Sequence, residues 1–314
     1  MTVDVGVVGV GSMGRHHARV YHELPAVNLV GVADENASTA ASVATEYDTD
    51  ATTTTALLEQ VDAVSIAVPS RFHHEIGLQA IEAGVHALVE KPMAPTIDAA
   101  RSLADAAASA GVTLQIGHIE RFNPAVIAVR EFVKDLDLIA VEARRLGPPV
   151  EVDRDVSNDV VFDLMIHDID VIMSLVGSEV RTVRATGSPD REYVNASLQF
   201  DNDVVGSLTA SRVTQRKVRK LTLTATDSLV TVDYSDRAVW IDRRTRPSYL
   251  TDDGDLRYRS ERVVERPTVD NGEPLKKEIS AFIEAVQNGT TPLVTGEDGI
   301  AALSLATRIN EAMQ

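Results

Sequence analysis

The stretch that most constrains this chain runs from Val3 to Gly14, an apolar segment closing in Gly9-Val10-Gly11-Ser12-Met13-Gly14. Val3 to Val10 alternates too little for a half-exposed strand and reads as one buried on both faces of a parallel sheet. A helical run from Arg15 to Glu23 follows at once. In such a strand, turn and helix the first glycine permits the tight turn, the second lets backbone approach a pyrophosphate, and the third lets helix pack closely on strand. The helix N-terminus turns its partial positive charge toward the phosphates. A second strand, Asn28 to Ala33, ends in Asp34, about 20 residues past the glycines, where an acid accepts hydrogen bonds from both ribose hydroxyls and repels a 2′-phosphate. Glu35 and Asn36 supply no cation to receive such a phosphate, so NAD is expected and NADP is disfavoured. A lone glycine pattern can be a turn without a nucleotide; Asp34 is what weighs against that reading. Gly9, Gly11, Ser12, Met13, Gly14 and Asp34 are the expected cofactor-binding residues.

The alternation continues with a helix near Ala37–Tyr47, an apolar strand Ala63–Val68 and, after Pro69-Ser70, a helix ending at Gly84. Next come the strand His86-Ala87-Leu88-Val89-Glu90, stopped by Lys91-Pro92, a helix Thr96–Ala110 and a strand Thr113–Gly117. This is a doubly wound parallel sheet filling residues 1–118. Ligands bind outside the carboxyl ends of such strands, which puts Pro69, Glu90 and Lys91 on the cofactor side and makes Lys91 a candidate catalytic residue rather than a solvated surface lysine. His16 and His17 have no ligand set near them in sequence and read as solvated or capping. Of His73 and His74, one lines the cofactor cleft or packs in the core.

After Gly117 the pattern changes. Arg121-Phe122-Asn123-Pro124 opens a helix to Val133, Leu138–Leu146 is strand-like, Gly147-Pro148-Pro149 is a loop, and Asp159–Val176 carries apolar residues at helical spacing. From Glu179 to Arg266 short strands dominate: Arg181–Gly187, Tyr193–Phe200, Val204–Val213, Lys220–Thr226, Leu229–Tyr234 and Ala238–Arg243. Strands joined by turns such as Asp201-Asn202-Asp203 predict a large, mostly antiparallel open sheet, so residues 119–314 form an α+β substrate-binding and oligomerisation domain. Helices over Pro274–Gln287 and Glu297–Ala312 close the chain, the last packing back on the first domain.

Composition excludes several classes. There is no cysteine, hence no disulfide, thiolate metal site or cysteine nucleophile. The net charge of -17 is spread along the chain, a field that repels nucleic acid and anionic membranes. A basic leader and a long uncharged apolar window are both lacking, so a cytoplasmic protein is expected. With 24 Arg against 6 Lys, many Asp and few aromatics, the balance is that of salt-loving hosts.

The chemistry centres on Asp163-Leu164-Met165-Ile166-His167-Asp168-Ile169-Asp170. Asp163 and His167 are four apart on one helix face. A histidine that titrates near neutrality beside an orienting carboxylate suits proton transfer. A divalent metal on Asp163, His167, Asp168 and Asp170 is disfavoured because those side chains point around the helix; a purely structural helix is the other reading.

Gly9-x-Gly11-x-x-Gly14, Glu90-Lys91-Pro92 and Asp163-x-x-x-His167, in that order, resemble the Gfo/Idh/MocA family of NAD(P)-dependent sugar dehydrogenases over essentially the whole chain. The resemblance implies that Lys91 and His167 sit at the reacting carbon, that Asp163 assists, and that the bond before Pro92 is cis. It also implies a homo-oligomer, dimer or tetramer. Within the family, Gly117–Pro124, Asp163–Asp170 and Ser211–Lys220 look like the UDP-N-acetylglucosamine 3-dehydrogenases, which oxidise a sugar 3-hydroxyl. That likeness adds Arg121, Asn123 and Arg216 to the substrate-binding residues. Arg216, Lys217, Arg219 and Lys220 form a basic island suited to a diphosphate, or else a strand edge that discourages aggregation. Read as a regular strand, it puts Arg216 and Lys220 on one face and Lys217 and Arg219 on the other. An inositol or free-sugar dehydrogenase, and an NAD-binding regulator without catalysis, are the alternatives.

Overall fold

The computed structural model describes residues 2–149, 159–245, 248–250, 256–258 and 261–313. Two units are distinguished: Met1–Phe122 with Gly272–Ser304, and Asn123–Asn271 with Leu305–Gln314.

In the first unit, strands and helices alternate as β1 (Val3–Val8), α1 (Ser12–Glu23), β2 (Val27–Ala33), α2 (Ala37–Glu46), β3 (Asp50–Ala51), α3 (Thr54–Leu58), β4 (Ala63–Ile66), α4 (His73–Glu82), β5 (His86–Glu90), α5 (Ile97–Ala110) and β6 (Leu114–Gly117). The six strands pair in parallel in the order β3-β2-β1-β4-β5-β6. Valines 5 and 7, Val64, Ile66, Leu88 and Val89 are fully buried, as strands covered on both faces must be. The order reverses between β1 and β4, so their carboxyl ends open the crevice that binds ligands in such sheets. Sequence reading passes over β3, a two-residue exposed edge strand too short and polar to show a period. It also places the start of α1 three residues late, at Arg15 rather than Ser12.

In the second unit come α6 (Pro124–Phe132), β7 (Leu138–Leu146), a π-helical turn (Val161–Met165), α7 (Ile166–Val176), β8 (Val180–Gly187), β9 (Tyr193–Phe200), β10 (Val205–Ser211), β11 (Val218–Ala225), β12 (Ser228–Asp233), β13 (Ala238–Thr245), a ribbon of β14 (Ser248–Leu250) with β15 (Leu256–Tyr258), and β16 (Glu261–Glu265). The large sheet has the order β16-β13-β12-β11-β7-β10-β9-β8. Its pairs are antiparallel except β7 with β10. Strand period sets its two faces: in β9, Val194, Ala196, Leu198 and Phe200 are buried while Tyr193, Asn195, Ser197 and Gln199 are exposed. The expected helix from Asp159 is present but opens with the π turn, a wider coil that a 3.6-residue apolar period cannot reveal. The expected strand Val204–Val213 stops at Ser211, and the next begins at Val218.

Helix α8 (Pro274–Asn288) returns to the first unit, and α9 (Gly296–Glu311) follows it. Leu275, Ile279, Phe282 and Ile283 of α8 join Val3, Val5, Val7, Tyr21 and Val43 in one apolar cluster. Among the described residues no helix is long and apolar enough to cross a membrane. Since Phe282 is fully buried there, Phe282→Ala should cost about 3–5 kcal/mol. Urea unfolding followed by circular dichroism checks this, and a loss below about 1 kcal/mol would mean that α8 is dispensable to that core.

Candidate functional site

The glycine turn leaves β1 with Gly9 at φ +84, its N–H donating to the Ala33 carbonyl at 2.8 Å. A Cβ on Gly14 would lie 1.8 Å from the Gly9 carbonyl oxygen, whereas one on Gly11 would meet nothing within 4 Å. The third glycine is thus required by packing, and the second faces open space. Gly11 caps α1 without a side-chain hydrogen bond, leaving the helix N-terminus to backbone N–H groups and its dipole. At the end of β2, Asp34 accepts from the N–H of Val10 (2.8 Å) and of Asn36 (2.8 Å), which fixes its carboxylate beside the turn. Pro69 leads a single 3-10 turn, Ser70–Phe72, after β4. These features suit a dinucleotide: open space over the second glycine, an uncapped helix N-terminus and a fixed acid.

The carboxyl end of β5 is held from beneath. Glu90, 8% exposed, accepts from Nε2 of His17 (3.0 Å) through Oε1 and from the Lys91 N–H (3.2 Å) through Oε2. His17 Nδ1 lies 2.9 Å from Ser65 Oγ, and that oxygen lies 2.8 Å from the Tyr21 hydroxyl. His17 is therefore neither solvated nor a cap: it is fully buried, a correction that apolar periodicity around it could not supply. Burial disfavours the charged form of Glu90, but the hydrogen bond from His17, with Lys91 beside it, outweighs that cost and holds its carboxyl below the usual range. Burial raises the Tyr21 phenol, keeping it a donor. Because a carboxylate only accepts, the set is completed when Tyr21 donates to Ser65, Ser65 to His17 and His17 to Glu90. The Lys91–Pro92 bond is cis.

Of the paired histidines, His73 is the buried one, its ring nitrogens 2.8 Å from the Pro92 and Val68 carbonyl oxygens. Burial lowers its pKa against the pull of those two carbonyls. His74 is only partly buried, with Nε2 3.2 Å from Ser102 Oγ. Past β6, His118 is buried, and desolvation, then Arg121 and Lys91, push it down to about 3. Arg121, expected at the substrate, is 7% exposed; it donates to the Leu293 carbonyl (3.3 Å) and lies 3.6 Å from Asp298. Asn123 caps α6 through the Ala125 N–H (3.1 Å) and donates to the Tyr234 carbonyl (3.1 Å). Both are fixed by fold contacts inside their own units.

In the second unit Asp159 opens the helical segment, accepting from the Val161 N–H at 2.9 Å. Asp163 lies in the π turn and His167 in the first turn of α7, both partly buried. Asp168 turns away into a buried bidentate pair with Arg145 (2.8 and 3.0 Å). Asp170 is also buried. Among the described residues no group of three metal-ligating side chains is placed to hold an ion.

The basic stretch after Ser211 departs from the expected strand. Arg216 and Lys217 lie on an exposed loop, so alternation does not sort them. Arg219 donates to the Leu146 carbonyl at 2.9 Å, and Lys220 lies 3.8 Å from Asp233. The segment's remaining cation, Arg212, carries a role that no local pattern marks: it is buried and donates to Asp163 Oδ2 at 2.9 Å. Its place in the Ser211–Lys220 segment is the signal the sequence offers.

The comparisons agree with this architecture. Residues 3–118 match the Gfo/Idh/MocA oxidoreductase family's NAD-binding Rossmann-fold profile, and residues 147–314 match its C-terminal alpha/beta domain. The chain is 34% identical over 314 residues to UDP-N-acetylglucosamine 3-dehydrogenase of Acidithiobacillus ferrooxidans, covering 98% of this chain and 96% of the relative. A solved structure of that organism's UDP-N-acetylglucosamine 3-dehydrogenase superposes with TM-score 0.89 at 32% identity, covering 99% and 98% of the two chains. Inositol 2-dehydrogenase of Rhizobium meliloti is 28% identical over 322 residues, covering 98% and 95%.

Two outcomes follow from the first unit. Gly11→Ala should melt like the native chain yet bind dinucleotide more weakly, while Gly14→Ala should lower the melting temperature as well. Thermal melts beside NADH fluorescence titrations separate the two, and equal behaviour of both variants would contradict the geometry. His118 titrates at about 3 folded against about 6.5 unfolded, so the unfolded chain binds more protons between those values. Its stabilising contribution is complete above about pH 6.5 and is lost as pH falls toward 3. His118→Gln should flatten the stability-versus-pH slope in that window by up to about 1.4 kcal/mol per pH unit, measured by urea unfolding at pH 4, 5 and 6; an unchanged slope would count against a buried neutral histidine.

Proposed function

The chain belongs to the Gfo/Idh/MocA oxidoreductase family, and from that premise we propose that it is an NAD-dependent dehydrogenase that oxidises a secondary hydroxyl of a sugar, the 3-hydroxyl of UDP-N-acetylglucosamine. The observation that carries the substrate reading is the full-length likeness to the Acidithiobacillus enzyme. NAD, when bound, supplies the hydride acceptor. Gly9, Gly11, Ser12, Met13 and Gly14 hold its phosphates, Asp34 its ribose, and Pro69, Glu90 and Lys91 complete the binding residues. His167 takes the hydroxyl proton, Lys91 steadies the developing alkoxide, and Asp163 orients His167. Arg121 and Asn123 support the substrate side from their fixed positions. Arg216 and Lys217, exposed on their loop, meet the diphosphate, where charge-assisted hydrogen bonds contribute about 1.5–3 kcal/mol each. The protein works as a homodimer or homotetramer, to be checked by light scattering.

Absorbance of NADH after mixing the protein with NAD or NADP and UDP-N-acetylglucosamine, N-acetylglucosamine or myo-inositol tests the proposal. Turnover of the nucleotide sugar with NAD is expected, and Asp34→Ala should narrow the preference over NADP. His167→Ala should lose about 10²–10⁴-fold in kcat with cofactor binding intact. Replacing Arg216 and Lys217 together should weaken the UDP-sugar by roughly 10²-fold or more and spare NAD. Equal or better use of myo-inositol, in line with the inositol dehydrogenase relatives, would replace the nucleotide-sugar reading by a free-polyol one. Native-rate turnover by His167→Ala or Lys91→Ala would remove the catalytic assignment.

A further inference from the structure

Arg212 is used by none of the steps above, yet its position is closely specified. Its N–H donates to the Glu192 carbonyl at 2.9 Å, and the residues beside it are tied down by Ser211 Oγ to Thr214 Oγ1 (2.8 Å), Thr214 N–H to the Gly147 carbonyl (2.9 Å) and Gly147 N–H to the Ser211 carbonyl (2.9 Å). The side chain is only 5% exposed. Nη2 donates to Asp163 Oδ2 at 2.9 Å, and Nη1 lies 3.5 Å from Glu192 Oε1.

A buried guanidinium is costly unless paired, and apolar replacements of buried ion pairs are often as stable or more so. Stability alone therefore gives a weak reason for a cation here. What the contact does specify is Asp163. An arginine stays charged at any working pH, and its planar fork fixes direction as well as charge, so the Asp163 carboxylate, 39% exposed, is held on one oxygen. Asp163 stands in a π turn, a coil that recurs at functional sites, directly before the turn that carries His167.

We propose that Arg212 is a positioning residue for the proton transfer: its guanidinium holds the Asp163 carboxylate in one orientation, one helical turn before His167. This rests on the reading of His167 as the base. Among the described residues, the charged groups on that helical segment and on the chain packed against it include Asp159 with Arg191, Asp163, Asp168 and Asp170, Arg145 on Asp168, and Glu192 with Arg212. Replacing Arg212 removes its contacts to Asp163 and Glu192 and leaves the Arg145–Asp168 pair in place.

The experiment compares the native chain with R212M, R212K, D163N and the D163N/R212M double variant. The His167 resonance, assigned by its loss in H167Q, is titrated by NMR, and kcat and KM are measured with NAD and the sugar that the native chain turns over. In R212M both the loss of a cation and the release of a carboxylate favour the imidazolium, so the His167 midpoint should rise by about 0.5 unit or more. Turnover should fall about 10–100-fold, with KM for NAD within about twofold and partial recovery on adding guanidinium, as a group that orients a base is expected to behave. The double variant should be no worse than D163N, the non-additivity of residues in one network. An unmoved His167 midpoint, or additive losses in the double variant, overturns the inference. If R212M does not fold, R212K takes its place: a lysine that keeps the charge but lacks the fork should retain a native midpoint and lose turnover, and undiminished turnover overturns the inference. A native chain that turns over none of the sugars defeats the functional reading instead, and the titration of His167 then decides alone whether Arg212 governs it.

Discussion

The contact that fixes the carboxyl end of β5 in the first unit is the buried one between His17 and Glu90. A carboxylate at the end of a central strand, almost sealed from water, is tolerable only with its oxygens bonded, and here α1 and the Lys91 N–H supply the donors. The glycine turn brings α1 close enough: with Gly14 against the Gly9 carbonyl, the helix lies so near β1 that residues 17 and 21 reach Ser65 on β4 and Glu90 on β5. The close packing that leaves the helix N-terminus open beside Gly11 thus fixes the backbone of Lys91 from its flank. A single geometric requirement, no Cβ at position 14, serves both.

The second unit solves a related problem with arginine. Asp168 and Asp163 lie on one helical segment, yet each has its own guanidinium, Arg145 from β7 and Arg212 from the end of β10. Strands β7 and β10 are the parallel pair of an otherwise antiparallel sheet, so their carboxyl ends lie side by side at the same end and both cations are delivered to the same helical segment. Topology, rather than sequence proximity, brings residues 145, 163, 168 and 212 together.

That distinction explains what could be read in advance. The alternating strands and helices of the first unit, the antiparallel bias of the second and the placement of Asp163 and His167 on one helical segment are local patterns, set by period and by turn residues. The role of His17 was illegible because it depends on Glu90, 73 residues away, and the adjacent His16 is exposed; nothing in the dipeptide says which ring turns inward. Arg212 was hidden by an assumption of regularity. Strand alternation sorts side chains only while the strand lasts, and the chain leaves it after Ser211. The π turn was likewise invisible, since the apolar residues Val161, Met165, Ile166 and Ile169 satisfy an α period well enough.

The uses of arginine bear on how the remaining cations should be weighed. In a chain with net charge -17, a basic segment invites reading as a site for an anionic ligand, but Arg212, Arg219 and Lys220 are each engaged by groups of the protein itself. The buried members hold the fold's own carboxylates and carbonyls, where a rigid fork is worth most. Arg216 and Lys217, by contrast, are left exposed to solvent on their loop. Solvent screening makes a charge contact at such a position weak until water is excluded from it. Counting cations along a sequence therefore overstates an anion site, and the position of each charge relative to the end of its strand is the better guide.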